Sequence, residues 1–338
     1  MVIYRPTRDR IAQTVHDLGE GPWTRRELIA WGWSAKQLER AVEHGGLQRR
    51  RHGVYACPET AQAPDRRHLT EIRAVLSGLS PRAVVSHGSA GCIASMWEQA
   101  SDLSRLHVTI PGHSERTDSR LTVHGSRLPP EFITELEGVR ATTVSRTAMD
   151  LARGAPFPDA LVVIDGAARQ LLQQRLPRAT WRIRERSVPA ELVTEAMVEL
   201  HEAFAVVWSW PGTRVVSRAL SVADLASESP FESRSRAWIL EAGLPDPVVN
   251  GRIVGATGRP YFGDFVWEEQ RVVGEADGLG KYGTTPEELR RHLAAQARRQ
   301  DDLERAGWTV VRWTTGDPRT AVVTRLARAL RLQARVTA

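Results

Sequence analysis

The run PYFGDFVWEEQRVVGEADGLGKY, residues 260–282, constrains this chain more than any other stretch. Residues 261–267 and 271–277 are rich in Phe, Val, Trp and Tyr, which favour pleated, half-buried surfaces. They flank a polar turn at Glu269 and Gln270, so the spacing predicts a β-hairpin. With those two residues as the loop, Asp264 falls opposite Glu275, Val266 opposite Val273 and Phe262 opposite Asp277. The alternate positions Phe265, Trp267, Val272 and Ala276 form a second, apolar face ready to pack.

Asp264 and Glu275 are thereby expected directly cross-strand, with Cβ atoms about 5 Å apart. Two ionised carboxylates at that range repel by roughly 3 kcal/mol at an effective dielectric near 20. A fold tolerates such a pair if one acid is protonated, if a cation lies between them, or if both point into water. Hard oxygen donors suit Mg²⁺ or Mn²⁺. Lys281 follows Asp277 by four residues. It is one of only two lysines in the chain, the other being Lys36. A compact ammonium among acids is not equivalent to the guanidinium used nearly everywhere else.

Around the hairpin, periodicity and stop signals predict a helix over 230–242 closed by Gly243, a strand over 247–254 and a turn at 255–258. After the two acidic strands come a helix over 286–306, a strand over 308–314 and a basic terminal helix over 317–335. The order is αβββαβ plus a helix, with Glu228 and Glu232 at the start of the first helix.

This order resembles the PD-(D/E)XK nuclease superfamily, and within it the branch related to the very-short-patch-repair endonuclease. The matching blocks are Glu228 to Glu232 (ESPFE), Gly263 to Phe265 (GDF), Glu275 to Gly278 (EADG), and the strand from Trp308 to Arg312. The resemblance implies Mg²⁺-dependent hydrolysis of a phosphodiester in DNA. In it Asp264 and Glu275 ligate the metal, and Glu232 supplies a further ligand or holds a water. The family places lysine two residues after the second acid, and here that position is Asp277. Either Lys281 reaches the same space from the loop, or Asp277 is another ligand.

A length of 338 residues fits two or three domains. The expected parts are a winged helix-turn-helix over 1–60, an α+β middle domain over 61–212 and a restriction-endonuclease-like domain over 213–338. Together they make a multidomain α/β chain. The net charge is +6, carried almost wholly by arginine, and the pI is near 9.9. This balance favours a polyanionic partner such as DNA. Two cysteines, Cys57 and Cys92, make no disulfide framework and show no metal-ligand spacing. Neither a signal-peptide core nor an apolar run of membrane-spanning length is visible, so a cytoplasmic protein with no membrane role is expected.

Near the amino terminus, residues 8–18 read as a helix closed by Gly19 to Pro22. Thr24 with Glu27, and Ser34 with Gln37, have the spacing of capping boxes that open two short helices joined by a Gly-containing turn. Residues 47–51 and 54–56 then form a hairpin about His52 and Gly53. On the second of these helices Leu38 and Val42 face inward. Ser34 opens it, and Lys36, Gln37 and Arg40 face out, where a recognition helix meets base edges. Arg49, Arg50, Arg51 and His52 give the wing its cations for phosphates or the minor groove. Residues 1–60 carry about +3 net, so positive surface has to be concentrated; the competing reading is a helical domain with a solvated basic loop. Thr24 to Leu28, the helix over 34–43 and the wing phrase LQRRRHGVY resemble the amino-terminal domain of AbiEi-family antitoxins. That resemblance implies a transcriptional autoregulator acting beside a toxin or other regulatory protein partner.

The middle region predicts helices over 66–76, 145–152, 161–174 and 189–207, and strands over 106–110, 121–124 and 139–143. His87, His107, His113 and His124 lack ligand spacing and are expected to be structural. Ser86, His87 and Ser89 lack a visible third member for nucleophilic catalysis. The expected function is a metal-dependent DNA endonuclease or nickase delivered by a winged helix; the alternative is an AbiEi-like repressor whose nuclease-like domain is inactive.

Overall fold

A computed structural model describes residues 22–51, 53–56, 64–97, 105–176, 188–278 and 286–331. The expected helix over 8–18, the wing residue His52 and Lys281 lie outside the described residues. The protein is a multidomain α/β chain, with helices and, among the described residues, three sheets. It divides into two compact units, residues 1–95 with 100–143, and residues 96–99 with 144–338. The sequence-expected boundary at 212/213 falls inside the second unit.

The first unit opens with β1 (Trp23–Thr24), α1 (Arg25–Ala30), α2 (Ala35–Glu43), β2 (Gln48–Arg51) and β3 (Val54–Ala56). Both predicted capping boxes form. Thr24 Oγ1 accepts from Glu27 N–H at 3.1 Å while Glu27 Oε2 accepts from Thr24 N–H at 2.7 Å. Ser34 and Gln37 repeat the exchange at 3.3 and 2.7 Å. These bonds satisfy amide donors that a helix start otherwise leaves open. The strands order as β1-β3-β2, all antiparallel. Trp23, Leu28, Leu38, Ala41, Leu47 and Tyr55 bury together beneath the two helices.

Next come α3 (Pro64–Leu76), β4 (Val84–Val85), α4 (His87–Ile93), β5 (Leu106–Thr109), β6 (Arg116–Thr117), β7 (Leu121–His124), β8 (Ile133–Leu136) and β9 (Val139–Thr142). They build a mixed six-stranded sheet, β6-β7-β5-β4-β9-β8. Its period-two apolar residues, Leu106, Val108, Leu121 and Val123, pack against Ile72 and Val75 of α3.

The second unit contains α5 (Val144–Ala152), α6 (Phe157–Arg175), α7 (Ala190–Val207), α8 (Thr213–Ser221), α9 (Pro230–Glu241), β10 (Val248–Val254), β11 (Pro260–Trp267), β12 (Val272–Asp277), α10 (Pro286–Arg305), β13 (Thr309–Thr314) and α11 (Arg319–Ala329). Its four strands order as β10-β11-β12-β13, antiparallel except for the parallel β12–β13 pair. One face carries Phe265, Trp267, Val272, Ala276 and Trp313 and packs with Ile239 of α9 and Val322 and Leu326 of α11. The other carries Val266 and Val273 and packs with Leu303 of α10. Gly274 is needed on the first face: a Cβ there would meet the Trp313 ring at 2.8 Å.

Asp165 of α6 is fully buried beside Arg236 of α9, at 3.5 Å, and accepts the Asp224 N–H at 2.9 Å. Burial pushes its carboxyl up to about 7, against the opposing pull of Arg236 and the Asp224 amide. The folded chain therefore holds this proton up to about pH 7, while the unfolded chain releases it near its ordinary value of 3.8. Stability from this group is greatest at low pH and falls as pH rises from about 4 to about 7. Urea unfolding midpoints at pH 5 and pH 7.5 should show this fall, and Asp165→Asn should flatten it. Removing the cap with Ser34→Ala should cost about 1 kcal/mol, read by denaturant unfolding of the full chain.

Candidate functional site

The hairpin register is the one the turn residues dictate. Phe265 pairs with Gly274, Val266 with Val273, and Trp267 with Val272. Pairing starts at Phe265, however, and Asp264 is where β11 departs from regularity. Tyr261 and Val266 pack against the same cluster although they are five positions apart, an odd offset. A regular strand puts such residues on opposite faces, so β11 changes phase between them. At that point Asp264 Oδ2 accepts the Ala276 N–H at 2.8 Å. The Asp264 carboxylate thus takes a position that a backbone carbonyl holds in an unbroken ladder.

Glu275 is 5% exposed and is neutralised from two sides. Arg299 of α10 lies 2.7 Å from its Oε1, and Arg312 Nε of β13 donates to its Oε2 at 2.9 Å. Arg312 is opposite Glu275 in the parallel β12–β13 register. Arg299 also donates to the Phe262 carbonyl, and Gln300 accepts from Arg312 at 3.1 Å. Asp277 accepts from Gln296 at 3.3 Å. The repulsion anticipated between Asp264 and Glu275 is therefore relieved by an amide and two guanidiniums supplied by the protein.

Glu232 serves its own helix. Its Oε2 accepts the Glu228 N–H at 2.7 Å and its Oε1 accepts from Ser229 Oγ at 2.9 Å, while Ser229 caps the Glu232 amide. Arg169 of α6 donates to the Leu225 and Ser227 carbonyls. Burial lowers Arg169 from its ordinary value, and the fields of Glu228 and Glu232 oppose that. Among the described residues no group of three or more His, Cys, Asp or Glu side chains is arranged to hold a metal ion. Glu232, Asp264 and Glu275 are thus not gathered into one donor set, and Glu275 already has two cations. In this arrangement a divalent ion at Glu275 would have to displace the Arg299 and Arg312 guanidiniums. Each acid meets a nearer donor on its own or an adjoining element.

The amino-terminal candidates divide in the same way. Lys36 and Gln37 are exposed on α2 and Arg40 is half-buried. Gln37 Oε1 is committed to Ser34, accepting its N–H at 2.7 Å and its Oγ at 2.8 Å. On the β2–β3 hairpin Arg49 is exposed, while Arg50 pairs with Glu71 of α3 at 3.2 Å. Arg51 ends β2 beside a register shift. Sequence reading missed Arg299, Arg312, Glu71 and the exposed acid Glu39 of α2. The first three are recognisable only through partners distant in the chain. Glu39 was legible from helical spacing, one turn beyond Lys36.

His87, which opens α4, gathers with His107 and His124 of the six-stranded sheet. The His87 and His124 rings stack at 3.7 Å between centroids, and His107 Nδ1 lies 3.1 Å from His124 Nε2. Ser86 is fully buried, with Thr109 donating to its Oγ at 2.9 Å and His87 Nδ1 lying 3.0 Å from that oxygen. A serine so enclosed is closed to a substrate.

No protein-family model matches the chain. Two proteins from Mycobacterium tuberculosis, the uncharacterized protein MT2308 of strain CDC 1551 and the uncharacterized protein Rv2248 of strain H37Rv, are each 28% identical over 287 residues. Each match covers 84% of this chain and 91% of the relative. The crystal structure of the Rv2827c protein from the same organism is 14% identical, with a TM-score of 0.40, covering 73% of this chain and 87% of that one. Similarity at that level carries no argument about this chain, and the two relatives' names assign no activity.

Replacing Glu275 by Gln keeps the shape and removes the charge that Arg299 and Arg312 share. Both arginines are partly solvated, which moderates the loss. Glu275→Gln should destabilise the chain by about 2 kcal/mol, measured by denaturant unfolding.

Proposed function

We propose that this protein binds duplex DNA through a winged helix made by β1, α1, α2, β2 and β3, and acts as an AbiEi-like transcriptional regulator. In this reading the second unit, whose elements from α9 onward follow one another as αβββαβ and a further helix, serves as a scaffold rather than a cleaving domain. The observation that carries this reading is the β1-β3-β2 sheet behind two capped helices. It supports α2 as a reading helix with the β2–β3 hairpin beside it as a wing. Lys36 on α2 and the exposed Arg25 and Arg26 on α1 supply cations on the same small unit. A toxin or regulatory protein partner belongs to this reading through the resemblance alone. Among the described residues no helix is long and apolar enough to cross a membrane.

A metal-dependent nuclease is the second reading, and the position of Asp264 beside the start of the β11–β12 ladder favours it. It requires Arg299 and Arg312 to release Glu275. The two readings separate by experiment. Incubation of labelled duplex, nicked and single-stranded DNA with the protein and Mg²⁺ or Mn²⁺ should leave the DNA intact. Metal-dependent cuts that vanish in Asp264→Ala would establish the nuclease instead.

For the binding reading, electrophoretic retardation of the chain's own upstream DNA should weaken by about 1–3 kcal/mol in Lys36→Ala if that side chain reaches a base edge. Arg49→Ala should weaken binding to all sequences alike and make the salt slope shallower by about one. No retention of upstream DNA at moderate salt would overturn the reading.

A further inference from the structure

We propose that Lys36 and Glu39 are the base-reading pair of α2, and that Glu39 makes the protein select a cytosine within its duplex site. The inference rests on the DNA-binding reading and gives that site its specificity. Leu38 and Ala41 are buried and Val42 is half-buried, which fixes the inward face of this nine-residue helix. At 100° per residue the outward face is Lys36, Glu39, Arg40 and Glu43. A recognition helix reads with its amino-terminal residues. This sets Lys36 and Glu39 ahead of Glu43, which ends the helix. Arg40 is half-buried, and the Gln37 carbonyl oxygen is taken up by Ser34. Lys36 and Glu39 are both exposed, and among the described residues neither enters an ion pair.

The outward face carries two cations and two acids, so it adds little net attraction for phosphates. Its contribution is to choice of sequence. A carboxylate lowered into the major groove is repelled by the backbone unless it accepts from a base. The donor it matches there is the exocyclic amine of cytosine, while a lysine matches guanine O6 and N7. One turn of helix separates Lys36 from Glu39, so both side chains reach neighbouring base pairs. General affinity then falls to Arg25, Arg26 and the wing, where contacts carry no sequence information.

The test is selection from a randomised duplex library with the full chain, its Glu39→Gln variant and its Lys36→Ala variant, all at about 100 mM salt. The wild type should enrich a motif with a fixed cytosine, and replacing that base should weaken binding about tenfold. Glu39→Gln should still bind but lose the cytosine preference, and Lys36→Ala should lose a guanine preference nearby. Thermal melts matching wild type would confirm that both exposed variants fold. An unchanged motif in Glu39→Gln, or tighter binding to every duplex alike, would overturn the proposal, because Glu39 would then only repel. A wild type that enriches no duplex would defeat the DNA-binding reading itself.

Discussion

Glu275, held between Arg299 and Arg312, ties three elements of the second unit together. Its carboxylate sits on β12, and its cations come from α10 and from the neighbouring strand β13. A buried carboxylate without compensation is costly, and the protein provides compensation twice. Arg299 also engages the Phe262 carbonyl on β11, so one side chain connects the helix to two strands. The layer between α10 and the sheet is consequently polar at this end and apolar at the other, where Leu303, Val266 and Val273 meet. This polar end is where a divalent ion would have to compete with fixed guanidiniums.

The first unit follows the same logic of commitment. Capping draws Gln37 back onto Ser34, and Glu71 draws Arg50 onto α3. Polar side chains that a composition argument counts as available to a partner are thereby used within the fold. What stays exposed on α2 is a short, mixed-charge surface rather than a uniformly basic one. In the proposed DNA-binding reading such a surface would contribute selectivity more than attraction, which would fall to arginines on α1 and the β2–β3 hairpin.

Much of the fold was legible because its signals are local. The capping boxes at Thr24 and Ser34 fixed two helix starts, and both form as spelled out. The polar pair Glu269 and Gln270 fixed the hairpin, and period two placed Phe265, Trp267, Val272 and Ala276 on one apolar face. The site was less legible. Asp264 and Glu275 lie near one another, but the phase change at Asp264 and its bond to the Ala276 amide interrupt the expected direct pairing. Glu232 shows the usual ambiguity of an acid at a helix start: the residue that suits a distant metal also suits the amides beside it. Lys281, His52 and residues 8–18 lie outside the described residues.

The sequence by itself determined where chains of hydrogen bonds begin and stop, and which side of each strand is apolar. Those properties depend on residues a few positions apart. Only tertiary structure decided how the charges are spent. Arg299 and Arg312 lie 24 and 37 residues beyond Glu275, and Glu71 lies 21 beyond Arg50. Coulomb attraction and desolvation depend on distance in space, and that distance is set once α10 and β13 have folded back onto β12.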